Sequence, residues 1–138
     1  MRLPDTEIRE AIINKLKTKI VYPIRDMYAR PKDEPPYVLL STQTGNQIPV
    51  KDCNYMETTI LIQVIGSQNL MVNRYEVEEI TQDIMEELLP VSVVNYIGLV
   101  NFDIISIIMD NITDDAITDD EGVTARKLLR LRIRLAEK

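Results

Sequence analysis

Residues 127–138 read KLLRLRIRLAEK, with three arginines set at every second position of an apolar run. A period of two puts Leu129, Leu131, Ile133 and Leu135 on one side of a β-strand and Leu128, Arg130, Arg132 and Arg134 on the other. The stretch is therefore a strand with one dry face and one charged face. Alternate residues on a strand lie about 6.6 Å apart. Two unit charges at that spacing in water repel by only about 0.6 kcal/mol. Water alone can tolerate the stripe, so three surroundings are open to it: solvent, nucleic-acid phosphates, or the carboxylates of a neighbouring subunit. Each implies a different function.

The dry face needs partners. In YMETTILIQVIG (55–66) the even positions Met56, Thr58, Ile60, Ile62 and Val64 are mostly apolar, while Tyr55, Glu57, Thr59 and Gln63 share the other face. PYVLLSTQ supplies a shorter strand, Tyr37 to Thr42. NFDIISIIMDN is β-branched and apolar on both faces, with Ile105, Ile107 and Met109 against Phe102, Ile104 and Ile108, the pattern of a central strand. Two helical stripes complete the set. Ile8, Ile12, Leu16 and Ile20 recur at every fourth position, with acids early and lysines late as the helix dipole favours. Val77, Ile80, Ile84 and Leu88 also fall at helical spacing, three or four residues apart, after Ser67 or Asn69 as N-cap. The order is α-β-β-α-β-β. Two helices with single stripes can cover one side of a sheet, so the expected fold is α+β: a two-layer sandwich of a mainly antiparallel four-stranded sheet and two helices on one face. One domain spans 1–138, with a proline-rich arm at 21–36 and a turn-rich insert at 43–54.

Composition narrows the chemistry. The chain has 138 residues, a net charge of −6 and no histidine. That excludes Ser-His-Asp and Cys-His catalysis and histidine metal sites. Its four glycines lie far apart, so neither a GxGxxG turn nor a P-loop can form. Carboxylate pairs could act on sugars, but there is no Trp and a single Phe to serve as a platform. The acidic stretch DNITDDAITDDEG fails the EF-hand spacing, because Ile117 stands at position 1 when Gly122 is position 6. The expectation is a protein that is not an enzyme and takes no cofactor or metal. Cys53 is alone, which suits a reducing compartment. MRLPDTEIRE turns polar before an apolar leader could form, so the chain is expected to be soluble.

Charge is segregated. From Tyr75 to Ala125 there are thirteen acidic residues and no basic one. The second helix is acidic, which argues against sequence-specific reading of DNA and leaves phosphate contact as the nucleic-acid alternative. An intersubunit pairing would set Arg130, Arg132 and Arg134 of one copy against Asp114, Asp115, Asp119, Asp120 or Glu121 of the next. Tyr22, Met27, Tyr28 and Tyr55, in or beside the two long inserts, are the candidate apolar anchors for a partner.

In order along the chain, the IREAIINKL helix, the tyrosine-bearing loop into PPYVLLS, the strand ETTILIQVIG running into the helix EVEEITQDIMEEL, and a final hairpin with an acidic, glycine-containing turn resemble the tail-terminator or tail-completion proteins of tailed bacteriophages. That resemblance implies an α/β subunit that assembles as a ring and joins tail to capsid at the neck or tail end. The implied partners are further copies of the chain, the adjoining tail-tube or neck ring proteins, and DNA in the lumen. The implied location is the virion, after assembly in the host cytoplasm. A soluble binding module of another intracellular complex, or a calcium-binding or carboxylate enzyme, are the alternatives the residues leave open.

Overall fold

In a computed structural model, residues 2–49, 54–69, 74–89, 97–119 and 122–138 are described; Cys53, Asp120 and Glu121 lie outside them. The elements are helix α1 (Asp5–Leu16), strands β1 (Ile24–Asp26), β2 (Tyr37–Ile48) and β3 (Tyr55–Asn69), helix α2 (Tyr75–Leu88), and strands β4 (Phe102–Asp119) and β5 (Gly122–Glu137).

The alternating strand is β5, and it behaves as its pattern requires. Leu131, Ile133 and Leu135 are wholly buried and Leu129 nearly so. It pairs antiparallel with β3 on one side, Ile60 opposite Leu131 and Ile62 opposite Leu129. On its other side it pairs antiparallel with β4. The full order is β1-β2-β3-β5-β4, with the short β1 parallel to β2. Ile8, Ile12 and Leu16 of α1 and Val77, Ile80, Ile84 and Leu88 of α2 share one core with Val38, Leu40, Ile60, Ile62 and Val64. Both helices therefore cover the same face of the sheet.

The structure corrects the sequence reading in several places. The sheet has five strands, because Ile24–Asp26, inside the proline-rich arm, adds along β2. Strand β2 runs on to Ile48, so half of the expected insert at 43–54 is strand, paired from Thr44↔Thr59 to Ile48↔Tyr55 after a bulge near Gln43. The turn-forming Gly45 and Asn46 tolerate extended backbone when a long partner supplies hydrogen bonds. Likewise β4 reaches Asp119, so the acidic stretch is mostly strand rather than connection. Most importantly, β4 lies at the sheet edge. Its two apolar faces do not make it central, since Ile105, Ile108 and Met109 remain exposed. Finally, α2 starts at Tyr75 without a side-chain cap, and Ser67 and Asn69 belong to β3.

Two local devices hold the helices to the sheet. A Cβ on Gly66 would stand 2.7 Å from the Val77 side chain and 3.3 Å from the Ala125 carbonyl, so only glycine allows α2 to pack this close. Nearby, the Ser67 N–H donates to the Glu76 carboxylate at 2.8 Å, tying the strand end to the first turn of α2. At the far end, the Glu7 carboxylate of α1 accepts from the Val100 N–H, from the Asn101 N–H at 3.0 Å and from the Asn101 side-chain amide at 3.1 Å. Burial pushes the Glu7 carboxyl up, but these donors together outweigh it and hold it below its ordinary value.

Leu131→Ala should therefore lower unfolding free energy by about 2–5 kcal/mol through cavity formation. Gly66→Ala should cost about 1–3 kcal/mol through overpacking against Val77. Urea denaturation of the two variants measures both, and a near-neutral Gly66→Ala would mean that α2 can shift.

Candidate functional site

The face of the sheet away from the helices carries the arginine stripe, and register decides what it meets. Pairing sets Arg134 opposite Glu57, Arg132 opposite Thr59 and Arg130 opposite Leu61 on the β3 side. On the β4 side, Ile108 faces Arg132 and Asn111 faces Arg130, with Asp110 extruded at a bulge between Met109 and Asn111. The extra residue turns the Asp110 carboxylate onto the stripe. The result is a ladder of alternating sign. Arg130 Nε lies 3.5 Å from Asp110, Arg132 lies 2.8 Å from Asp110 and 3.6 Å from Glu57, and Arg134 lies 3.0 Å from Glu57. Two carboxylates thus serve three guanidinium groups, leaving the ladder with one surplus positive charge.

The ladder is partly wet. The three arginine side chains are 40–50% exposed, whereas those of Asp110 and Glu57 are 25% and 21% exposed. Pairs of this kind contribute about 0.2–1 kcal/mol each. The Nε atoms of Arg130 and Arg132 are shielded from solvent without a hydrogen bond, although both lie within ion-pair distance of a carboxylate. Close charge without alignment is a weak contact, so the ladder sets which way the side chains lie more than how stable the sheet is.

Of the acidic group, Asp114 and Asp115 do not meet the stripe within the subunit. Asp114 and Asp115 sit further out on β4, where Asp114 pairs with Lys127 at 3.1 Å and with Arg74 at 3.7 Å, and Asp115 pairs with Arg126. The Arg126 guanidinium and the Ala116 N–H hold the Asp115 carboxyl below its ordinary value. Asp119 is placed by its backbone pairing with Gly122. Glu57 and Asp110, the carboxylates that do meet the stripe, carry no signal in the strand pattern. Only inter-strand register could have found them.

The arm at 21–36 is held in a defined shape. Arg25 on β1 grips Asp33 with two parallel hydrogen bonds of 2.9 and 3.0 Å, and the Arg30 N–H adds a third at 2.8 Å. The Arg25 side chain, with this N–H, pulls the Asp33 carboxyl down to about 2. Met27 takes φ of 69°, a left-handed conformation that costs a non-glycine residue about 1–2 kcal/mol. Its N–H bonds the Leu40 carbonyl at 2.6 Å, which fixes it there. The bend leaves Met27 48% and Tyr28 76% exposed, and Tyr22, before β1, is also exposed. Met27 and Tyr28 are neighbours at this bend, while Tyr22 stands at the other end of β1 along the same sheet edge. Tyr55 stands apart, because it lies seven residues along β3 from Ile62, the residue level with Leu40, a separation of about 20 Å.

A cleft of about 280 Å³ between α2 and β4 is lined by Glu78, Thr81, Gln82, Met85, Ile112 and Lys127. Among the described residues no group of three His, Cys, Asp or Glu side chains could hold a metal. Nor is any described helix long and apolar enough to cross a membrane.

With this geometry, comparison with known proteins gives a fold relationship. No family model matches the chain, and no curated protein sequence matches it. Solved structures do. A chain from the virion of a native gene transfer agent particle superposes with a TM-score of 0.68 at 12% identity, covering 95% of this chain and 96% of that one. The bacteriophage SPP1 gp17 protein superposes with a TM-score of 0.52 at 18% identity, covering 96% of this chain and 91% of its own. The likeness to tailed-phage proteins read from the order of motifs thus holds at the level of the whole fold.

Two outcomes follow from the site geometry. Arg132→Ala should change stability by less than about 1 kcal/mol, since its pairs are partly wet; thermal melts check this against Leu131→Ala. The Asp33 carboxyl titrates lower in the folded chain than its ordinary value of about 3.9. Its hold on the arm is therefore complete above that value and is lost as pH falls toward 2. Asp33→Asn should reproduce that loss at neutral pH, with trypsin cutting after Lys32 several-fold faster while the melting temperature stays nearly unchanged.

Proposed function

We propose that the chain is a non-enzymatic structural protein of a phage or phage-like virion, a ring-forming subunit at the head-tail connector, the neck or the tail terminus. The observation that carries this reading is the whole-chain fold likeness to a chain of a gene transfer agent virion, with the SPP1 protein as a second phage instance. The physical features agree with a subunit built to touch other proteins. Its charged sheet face is balanced within the chain to one surplus positive charge, and apolar side chains stand exposed on the arm and on β4. No histidine is available for proton transfer near pH 7.

In this reading the partners are further copies of the chain and the adjoining tail-tube or neck ring proteins. Arg130, Arg132 and Arg134 line a face whose carboxylates are already supplied by Glu57 and Asp110, so contact with DNA in a lumen would be through phosphates, shallow and without sequence preference. Asp114 and Asp115 already have partners in their own subunit, which makes them weaker candidates for bridging to a neighbour than Arg130, Arg132 and Arg134 are.

Deleting the coding sequence in its native particle-producing system tests the proposal. Heads and tails should accumulate separately in electron micrographs, and supplying the chain in trans should restore joined particles. Mass spectrometry of purified restored particles should find the chain in several copies. Normal joined particles in its absence, or restored particles that lack the chain, would refute the role.

A further inference from the structure

Six of the eleven large apolar side chains left exposed among the described residues form two groups that lie at opposite edges of one sheet. Tyr22, Met27 and Tyr28 flank β1 at one edge. Ile105, Ile108 and Met109 lie on β4 at the other, exposed by 52%, 51% and 41%. Strand β4 also presents an outer row of backbone donors and acceptors that no described strand pairs.

Charge says which surface each group accepts. Strand β4 carries Asp103, Asp110, Asp114, Asp115 and Asp119 and no basic residue. Two β4 edges brought together would set carboxylates against carboxylates. The arm carries Arg30, Lys32 and Glu34, for which the described residues provide no ion pair, while its Asp26 and Asp33 are taken by Arg9 and Arg25, so it keeps one surplus positive charge. Arm against arm would bring two positive surpluses together. Arm against β4 sets a positive surplus toward an edge whose Asp110, Asp114 and Asp115 are paired in their own subunit but whose Asp103 stands exposed, and sets apolar side chains toward apolar ones. Asp103, 67% exposed and 3.8 Å from Lys138, is the most available acid there.

We infer that the arm of one copy docks on the β4 edge of the next, so that the chain associates head to tail through its two unlike sheet edges. This deepens the ring reading and rests on it for its biological setting. A contact between unlike surfaces on opposite sides of a subunit propagates, and it closes into a ring when the rotation per copy allows. The Arg25–Asp33 clamp and the left-handed Met27 then hold the arm preformed, so little order has to be gained on docking.

The test uses two single variants at exposed positions, Tyr28→Glu on the arm and Ile105→Glu on β4, which carry the same charge and so cannot rescue each other. Circular dichroism melts first establish that both fold like the parent. In sedimentation velocity the parent should grow in size with concentration, and each variant alone should associate at least tenfold more weakly. An equal mixture of the two should form a one-to-one dimer and stop, because each copy keeps one working edge and only one kind of contact remains. If either variant alone assembles like the parent, if the mixture stays monomeric or builds parent-sized oligomers, or if the parent is monomeric at every concentration, the head-to-tail contact is wrong. Particle composition separates this from the virion reading. A chain found in joined particles but failing the mixing test sinks the contact alone, whereas one that passes it but is absent from particles sinks the virion role alone.

Discussion

Setting Ile60 opposite Leu131 and Glu57 opposite Arg134 is one act of strand pairing with two outcomes. On the helix side it lines up the apolar rows of β3 and β5, which both helices then cover. On the open side the same register brings Glu57 beside Arg132 and Arg134. A slip of one residue would turn Leu129, Leu131, Ile133 and Leu135 toward water and bury the arginines, so the core enforces the ladder. Because β5 is flanked on both sides, its other neighbour must also supply a carboxylate, and the bulged Asp110 of β4 does so. The ladder is thus a by-product of hydrophobic register, and its modest energy is no measure of how firmly it is specified.

Much of this architecture could be read from spacing. The buried rows of α1, α2, β3 and β5 are the residues their periodicities picked out, because a stripe facing a core has one period to obey and few ways to violate it. Topology was harder. NFDIISIIMDN is apolar on both faces, and burial on both faces by a fold looks the same in sequence as burial on one face plus exposure awaiting a partner. Gln43 to Ile48 reads as turn by composition but is drawn into strand by its pairing with β3, a long-range contact that local propensity does not contain. Three-residue β1 is too short to show any period.

The candidate site divides along the same line. Exposed Tyr22, Met27 and Tyr28 were legible because prolines and aromatics outside any periodic segment have no core to enter. Grouping Tyr55 with them was not warranted by spacing, since closeness in sequence to an insert says nothing about which end of the sheet the insert occupies. The true neighbours of the arginines, Glu57 and Asp110, were invisible for the reason given above: they are chosen by register. Asp114 and Asp115 looked like a free acidic patch until Arg74, Arg126 and Lys127, distant or adjacent in sequence, closed around them.

The bulges of β4 bear on a hazard that any open strand creates, namely growth into fibrils by indiscriminate strand addition. Regular pairing along β4 breaks between Ile104 and Ser106 and again between Met109 and Asn111, each time within the apolar half of the strand. Every break kinks the outer ladder, so an incoming flat strand can match only a few residues before its hydrogen bonds fall out of step. The remaining run, from Asn111 to Asp119, is unbroken but carries Asp114 and Asp115, whose ion pairs with Lys127 and Arg126 would have to be disturbed for identical copies to stack. Irregularity guards the greasy half and charge guards the regular half. A newly made chain can therefore keep this edge uncovered in dilute solution without nucleating amyloid-like aggregates.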